Sequence, residues 1–223
     1  MDNIKAVIFD FDNTLGDRFE YCYQTYRCFV KTFLPEIDEN SILFESMLQD
    51  LVLYDEYGNV GNKDQILRTF EQKYDVRINM SGKEFARWWI EHQYLFTVLF
   101  PDAMDTVLKL KEKYKIGILT NGAHLAQWGK IERSGLMPYV DAIVVSEDAG
   151  VRKPDVRIFE MMADKLGLKC EECVYVGDTF SLDIMGAYNS GMKPVWIWPS
   201  ERAKPSDFDV ARIRNVSDLL EIL

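Results

Sequence analysis

The sequence predicts an α/β chain, a doubly wound parallel sheet interrupted by an all-helical insertion, and three observations carry that class. Five short runs rich in Val and Ile, at 4–9, 116–119, 142–145, 174–176 and 195–198, are apolar at nearly every position. Such runs suit strands covered on both faces, whereas half-exposed strands alternate. Helical patterns at 125–134, 155–166 and 181–189 fall between the last four runs, and a strand–helix alternation packs as a parallel sheet with right-handed crossovers. Finally, about a hundred residues part the first run from the second, where a crossover needs far fewer.

The elements follow in chain order. The first strand, 4–9, ends in Asp10-Phe11-Asp12-Asn13-Thr14. The insertion, 16–100, holds no convincing β-run. Its first helix is marked by Phe19, Tyr23, Tyr26, Val30 and Phe33, whose steps of four and three set them on one face. Further helices are predicted over 41–53, 64–74 and 83–100, with Gly58 and Gly61 loosening the loop between the second and third. The α/β core is then residues 1–15 and 101–223. Its second strand ends in Thr120-Asn121-Gly122, the third is followed by Arg152-Lys153-Pro154-Asp155, and the fourth ends in Gly177-Asp178-Thr179 with Asp183 soon after. Pro154 is expected in the first turn of the helix it precedes.

Composition narrows the function classes. At 223 residues, 48% hydrophobic and 28% charged, the chain can bury a real core. A formal charge of -10, from 26 basic against 36 acidic residues, repels phosphate backbones and anionic membranes, so neither nucleic acid nor membrane is an expected partner. No apolar run reaches the ~18 residues of a membrane span, and the first residues lack a leader pattern; a cytoplasmic location is the expectation. Four cysteines are too few for a disulfide framework. Cys170 and Cys173 form a lone C-x-x-C that precedes a strand instead of opening a helix, and are read as structural. Trp88, Trp89, Tyr94, Phe96 and Phe100 are read as packing of the insertion and its seam with the core.

Ligands of an open parallel sheet collect beyond the carboxyl ends of its strands. Asp and Asn often end strands as turn or N-cap residues, so any one of these segments alone reads as punctuation. Together they direct several carboxylates, a hydroxyl and an ammonium to one rim. Gathering carboxylates there is costly unless a cation is present. Mg2+ suits the all-oxygen donor set, and with His92 and His124 the only histidines, an imidazole-built zinc or copper site is not expected. His92 is read as structural.

The strings DFDNT, TNG, RKPD and GDTFSLD, in this order and at successive strand ends, resemble the four motifs of the haloacid dehalogenase-like hydrolase superfamily. The insertion is similar in place and character to that family's helical cap. The resemblance implies a Rossmann-like core with an all-helical cap and a Mg2+-dependent phosphatase acting on a small phosphate monoester through an aspartyl-phosphate. By motif, Asp10 is implied as nucleophile and Asp12 as general acid and base. Thr120, with Asn121 beside it, is implied to bind phosphoryl oxygens, and Lys153 to neutralise charge. Asp10, Asp178 and the Asp12 backbone carbonyl would hold Mg2+, and Asp183 would support the metal or orient Lys153. An acid at position 12 favours phosphate esters over halides, because halide leaves without a proton. Asn13 stands where the family often has Gly, and Asn tolerates a left-handed backbone. The resemblance places specificity in residues 16–100. TNGAHLAQWGKIERSG and VRKPDVRIF look similar to nucleotidases and sugar-phosphate phosphatases, and a nucleoside monophosphate is the first expectation. A phosphomutase, a receiver-like phospho-acceptor and a non-catalytic binding module are the alternatives; oligomeric state stays open.

Overall fold

The computed structural model describes residues 3–56, 61–197 and 208–223; Gly58 and Trp198 lie outside them. The chain divides into two compact units, residues 1–17 with 99–223, and Arg18–Val98.

The first unit is built on six strands, β1 (Ala6–Phe9), β2 (Lys115–Thr120), β3 (Ala142–Val145), β4 (Cys173–Gly177), β5 (Lys193–Ile197) and β6 (Ala211–Ile213). They form one sheet in the order β3-β2-β1-β4-β5-β6, and every pairing is parallel. Side chains alternate across a strand, so each strand feeds both faces. Val7, Phe9, Ile116, Ile118, Val174 and Val176 join one buried cluster, and Ala6, Ile8, Leu119, Val144 and Tyr175 join another. That double burial is why the runs are apolar throughout. Chain order moves from β1 outward to β3 and then returns to β4 on the other side of β1. The sheet therefore changes direction between β1 and β4, the crevice where open α/β sheets bind ligands.

The second unit supplies four helices, α1 (Arg18–Phe33), α2 (Ile42–Tyr54), α3 (Lys63–Tyr74) and α4 (Gly82–His92), followed by a 3-10 turn at Gln93–Phe96. Side chains of Ser41, Asn62 and Ser81 cap the last three, Ser81 in a reciprocal box with Glu84. The unit has its own core, including Tyr26, Phe29, Leu48, Leu51, Leu67, Phe70, Phe85 and Trp89. On α1 the buried face is Tyr21, Cys22, Thr25, Tyr26, Phe29 and Val30, while Phe19 is 44% exposed, so the stripe lies to one side of that inferred from the aromatic spacing. The helix expected over 83–100 stops at His92. Thr97 and Val98 are β-branched and Pro101 disfavours helix in the residue before it. The chain instead returns in extended form, Phe100 N–H donating to Leu15 O at 2.9 Å and Leu99 bridging Gly16. Trp88 and Trp89 are taken up inside this unit, Trp88 against Phe29 and stacked on His92, Trp89 against Tyr26.

The remaining helices belong to the first unit: α5 (Ala103–Lys111), α6 (His124–Arg133), α7 (Ser146–Ala149), α8 (Val156–Leu166), α9 (Met185–Ser190) and α10 (Leu219–Ile222). Residues from α5, α6 and α10 cover one face of the sheet, and residues from α8 and α9 the other. Pro154 does not open α8. Asp155 is the cap, its side chain accepting from Arg157 N–H, and Pro154 lies before it. No helix among the described residues is long and apolar enough to cross a membrane.

Candidate active site

The site begins where β1 ends. Asp10 N–H still donates to Val176 O at 2.8 Å, so β4 fixes its backbone. The chain then turns tightly, Phe11 O accepting from the N–H groups of Thr14, Leu15 and Gly16. Asn13 holds a φ of 59° there, the left-handed conformation its side chain tolerates. Asp10 and Asp12 are each 7% exposed, and the turn delivers them to two different cations.

Asp10 meets Lys153. The Lys153 ammonium pairs with Asp10 Oδ1 at 2.8 Å and donates hydrogen bonds to Asp183 Oδ1 at 2.7 Å and the Tyr175 hydroxyl at 3.0 Å. Burial pulls this ammonium toward neutrality, but Asp10 and Asp183 outweigh it and hold Lys153 above the ordinary lysine range. Asn121 fixes the lysine's backbone: its Oδ1 accepts from Lys153 N–H at 2.9 Å and its Nδ2 donates to Lys153 O at 3.2 Å. The expectation that Asn121 binds substrate therefore meets a side chain whose two ends are spent on Lys153. Asp183, 1% exposed, follows β4 in a π-turn at Phe180–Ile184, and its Oδ2 accepts from Thr179 N–H at 2.9 Å. It fits only because residue 177 is glycine, since a Cβ there would sit 2.5 Å from Asp183 Cγ.

Asp12 meets Lys130. Its two oxygens lie 2.8 and 3.1 Å from Lys130 Nζ, and Gln127 Nε2 donates to Oδ2 at 3.0 Å. Both partners come from α6 and are almost fully buried, Lys130 at 1% and Gln127 at 3%.

Asp178, at the end of β4, has its backbone carbonyl held by Trp196 Nε1 at 2.8 Å and its Oδ1 held by Thr179 Oγ1 at 3.1 Å. Asp10, Asp178 and Asp183 each offer a carboxylate oxygen within 4.8 Å of the others. The residues fit a divalent cation by two tests. The donors are all oxygen, as Mg2+ requires. Burial pushes the Asp10 carboxyl up to about 7 against the pull of Lys153, with Asp183, Asp178 and Asp12 adding to the rise, and a cation bound at these oxygens would offset both the desolvation and the like-charge repulsion. Thr120, 1% exposed, has an Oγ1 with no hydrogen-bond partner among the described residues, a buried hydroxyl suited to a ligand oxygen.

The structure thus gathers Asp10, Lys153, Asp178 and Asp183 at the change of direction in the sheet, with Asn121 behind Lys153. Lys130, Gln127 and Tyr175 were not legible as site residues. A signal existed for the first two, which are polar at positions i and i+3 on the same buried face as Ala126 and Ile131. Tyr175 sits inside an apolar run and counts there as core. His124 stays on the surface, its Nδ1 2.7 Å from Asp148 Oδ1.

Comparison with known proteins agrees with this architecture. The family model described as haloacid dehalogenase-like hydrolase matches residues 7–197. A glyceraldehyde 3-phosphate phosphatase of Methanothermobacter thermautotrophicus is 31% identical, covering 99% of this chain and 100% of its own. The pyrimidine 5'-nucleotidase YjjG of Escherichia coli is 32% identical over 66% of this chain and 64% of its own. Among solved structures, the putative hydrolase YfnB of Bacillus subtilis, bound to magnesium, superposes with a TM-score of 0.79 at 22% identity, covering 99% of each chain. With the strand order, the motif-bearing loops and a family match spanning most of its length, the chain belongs to the haloacid dehalogenase-like hydrolases and is an enzyme of that family.

Proposed function

We propose that this hydrolase is a Mg2+-dependent phosphatase that cleaves a small phosphate monoester through an aspartyl-phosphate on Asp10. The observation that carries the reading is the meeting of buried Asp10 and Asp183 with partly buried Asp178 within 4.8 Å, around an ammonium that touches two of them.

An Asp10 oxygen attacks phosphorus in line, the bond from phosphorus to the ester oxygen breaks, and Asp12 gives that oxygen its proton. Asp12 then takes a proton from water, the water oxygen attacks phosphorus, and the bond to Asp10 breaks to release phosphate. Dividing the transfer in two lets one acid–base group serve both halves. Lys153 offsets negative charge on Asp10 and the phosphoryl oxygens, and Thr120 Oγ1 donates to one of them. Asp10, Asp178 and the Asp12 carbonyl would hold Mg2+, which supplies charge neutralisation at the phosphoryl group. Asp183 serves as the orienting anion of Lys153, because both of its oxygens are already engaged.

The substrate class is a small phosphorylated metabolite, with a triose phosphate placed first. The glyceraldehyde 3-phosphate phosphatase resembles this chain over its whole length, whereas the nucleotidase match covers about two thirds; a nucleoside monophosphate comes second. The test is a screen for Mg2+-dependent phosphate release from triose phosphates, sugar phosphates and nucleoside monophosphates, with Asp10→Asn as the blank. Release without a bisphosphate activator separates a phosphatase from a phosphomutase. Equal release by wild type and Asp10→Asn would overturn the nucleophile assignment.

A further inference from the structure

We infer that Lys130 and Gln127 are positioning residues for Asp12, holding its carboxylate in the plane from which it exchanges a proton with the leaving oxygen and then with water. The inference rests on the proton-transfer role proposed above for Asp12.

Three observations carry it. Lys130 reaches both Asp12 oxygens, at 2.8 and 3.1 Å, and Gln127 holds the second of them at 3.0 Å. A carboxylate gripped at both oxygens has lost its rotation about the side-chain axis, whereas a single contact would leave it free to turn. Lys130 is also 1% exposed, on a helix face that it shares with Ala126 and Ile131. Packing alone would be served by Met or Leu, since a buried ion pair contributes little to stability relative to apolar residues of similar volume. Lastly, the clamp is built into the second motif. Gln127 Nε2 also donates to Asn121 O at 2.9 Å, and Gly122, at a φ of 155°, leaves the space it occupies. A Cβ at 122 would sit 2.5 Å from Gln127 Nε2 and 2.8 Å from its Cγ. Thr120-Asn121-Gly122 therefore holds Lys153 through Asn121 and makes room for the group that holds Asp12.

In the reaction, Asp12 loses its proton to the ester oxygen and regains one from water, while Lys130 keeps its protons and only fixes the direction of transfer. The consequence depends on the leaving group. An alkoxide needs the proton as it departs and p-nitrophenolate does not. The value of kcat/KM reports the first transfer alone, before the water step common to all esters.

The test compares kcat/KM of wild type, Lys130→Met and Gln127→Leu on p-nitrophenyl phosphate and on an alkyl phosphate at saturating Mg2+. Lys130→Met is expected to lose about 100-fold on the alkyl ester and less than about threefold on the aryl ester, which also serves as the check on folding. Gln127→Leu should show the same selectivity at about tenfold, and carries the test if Lys130→Met does not fold. Equal losses on both esters, or none on either, would overturn the inference alone. A wild type inert toward every ester would overturn the phosphatase reading and this inference with it.

Discussion

Removing one oxygen, in Tyr175→Phe, probes how Lys153 is held. The substitution keeps the ring and its edge contact with Phe159, at 5.0 Å and 69°. What it deletes is a hydroxyl that accepts from Lys153 Nζ at 3.0 Å and shares its proton between Leu119 O at 3.0 Å and Asp183 Oδ1 at 3.1 Å. Burial, reinforced by Asp183 and Asp10, holds this phenol well above its ordinary range, so it stays a neutral donor. A hydrogen bond to a charged group contributes about 1.5–3 kcal/mol and a neutral one about 1 kcal/mol. In the variant the ammonium keeps both of its acids, which recovers part of the loss, and the net cost should be about 2–3 kcal/mol. For a chain of this size each kcal/mol moves the melting midpoint by about 2–4 °C, so thermal unfolding followed by circular dichroism should begin about 5–10 °C lower. A less firmly held Lys153 should also lower kcat by about tenfold with little change in KM. A variant that melts within about 0.5 kcal/mol of wild type and turns over at the same rate would refute the idea that the hydroxyl anchors Lys153.

The other expectations concern charge. Burial raises the Asp10 carboxyl from 3.8 to about 7. The native state therefore binds this proton more tightly than the unfolded chain, and metal-free stability should fall as pH rises from about 4 to about 7; Asp10→Asn should show a shallower fall by urea titration, and parallel slopes would count against it. Mg2+ should raise the melting midpoint of wild type, by about 2.7 kcal/mol of stability at a hundred times its dissociation constant, and not that of Asp178→Asn; a shift of equal size in both would remove Asp178 from the metal site. In the helical unit, Lys63 pairs with Asp55, which is fully buried, so Lys63→Met should cost about 3–5 kcal/mol by stranding the carboxylate. The double variant Lys63→Met, Asp55→Asn should recover most of that loss in urea unfolding, and additive losses would refute the pairing.

Much of the fold could be read directly because burial dictates composition. Strands β1 to β5 are covered on both faces, so their residues are apolar almost without interruption, and the class follows. Strand β6 escaped, being three residues long with Arg212 exposed at its centre, a pattern no different from a loop. The end of α4 was misplaced because aromatic residues continue past His92 while the backbone turns extended to meet Leu15 and Gly16. Asp10, Thr120 and Asp178 were legible because each lies at or just past the end of a strand, and the parallel order carries those ends to one rim; Lys153 comes later, in the loop after α7. Which acid pairs with which cation was decided only by tertiary structure. Asp10 and Asp12 are two residues apart, yet the turn at Phe11 sends one to Lys153 and the other to Lys130. The distances along the chain from Asp12 to Lys130 and from Lys153 to Asp183 leave no local pattern. An ion pair of that kind is selected by the fields and volumes that meet in space, and a linear string records neither.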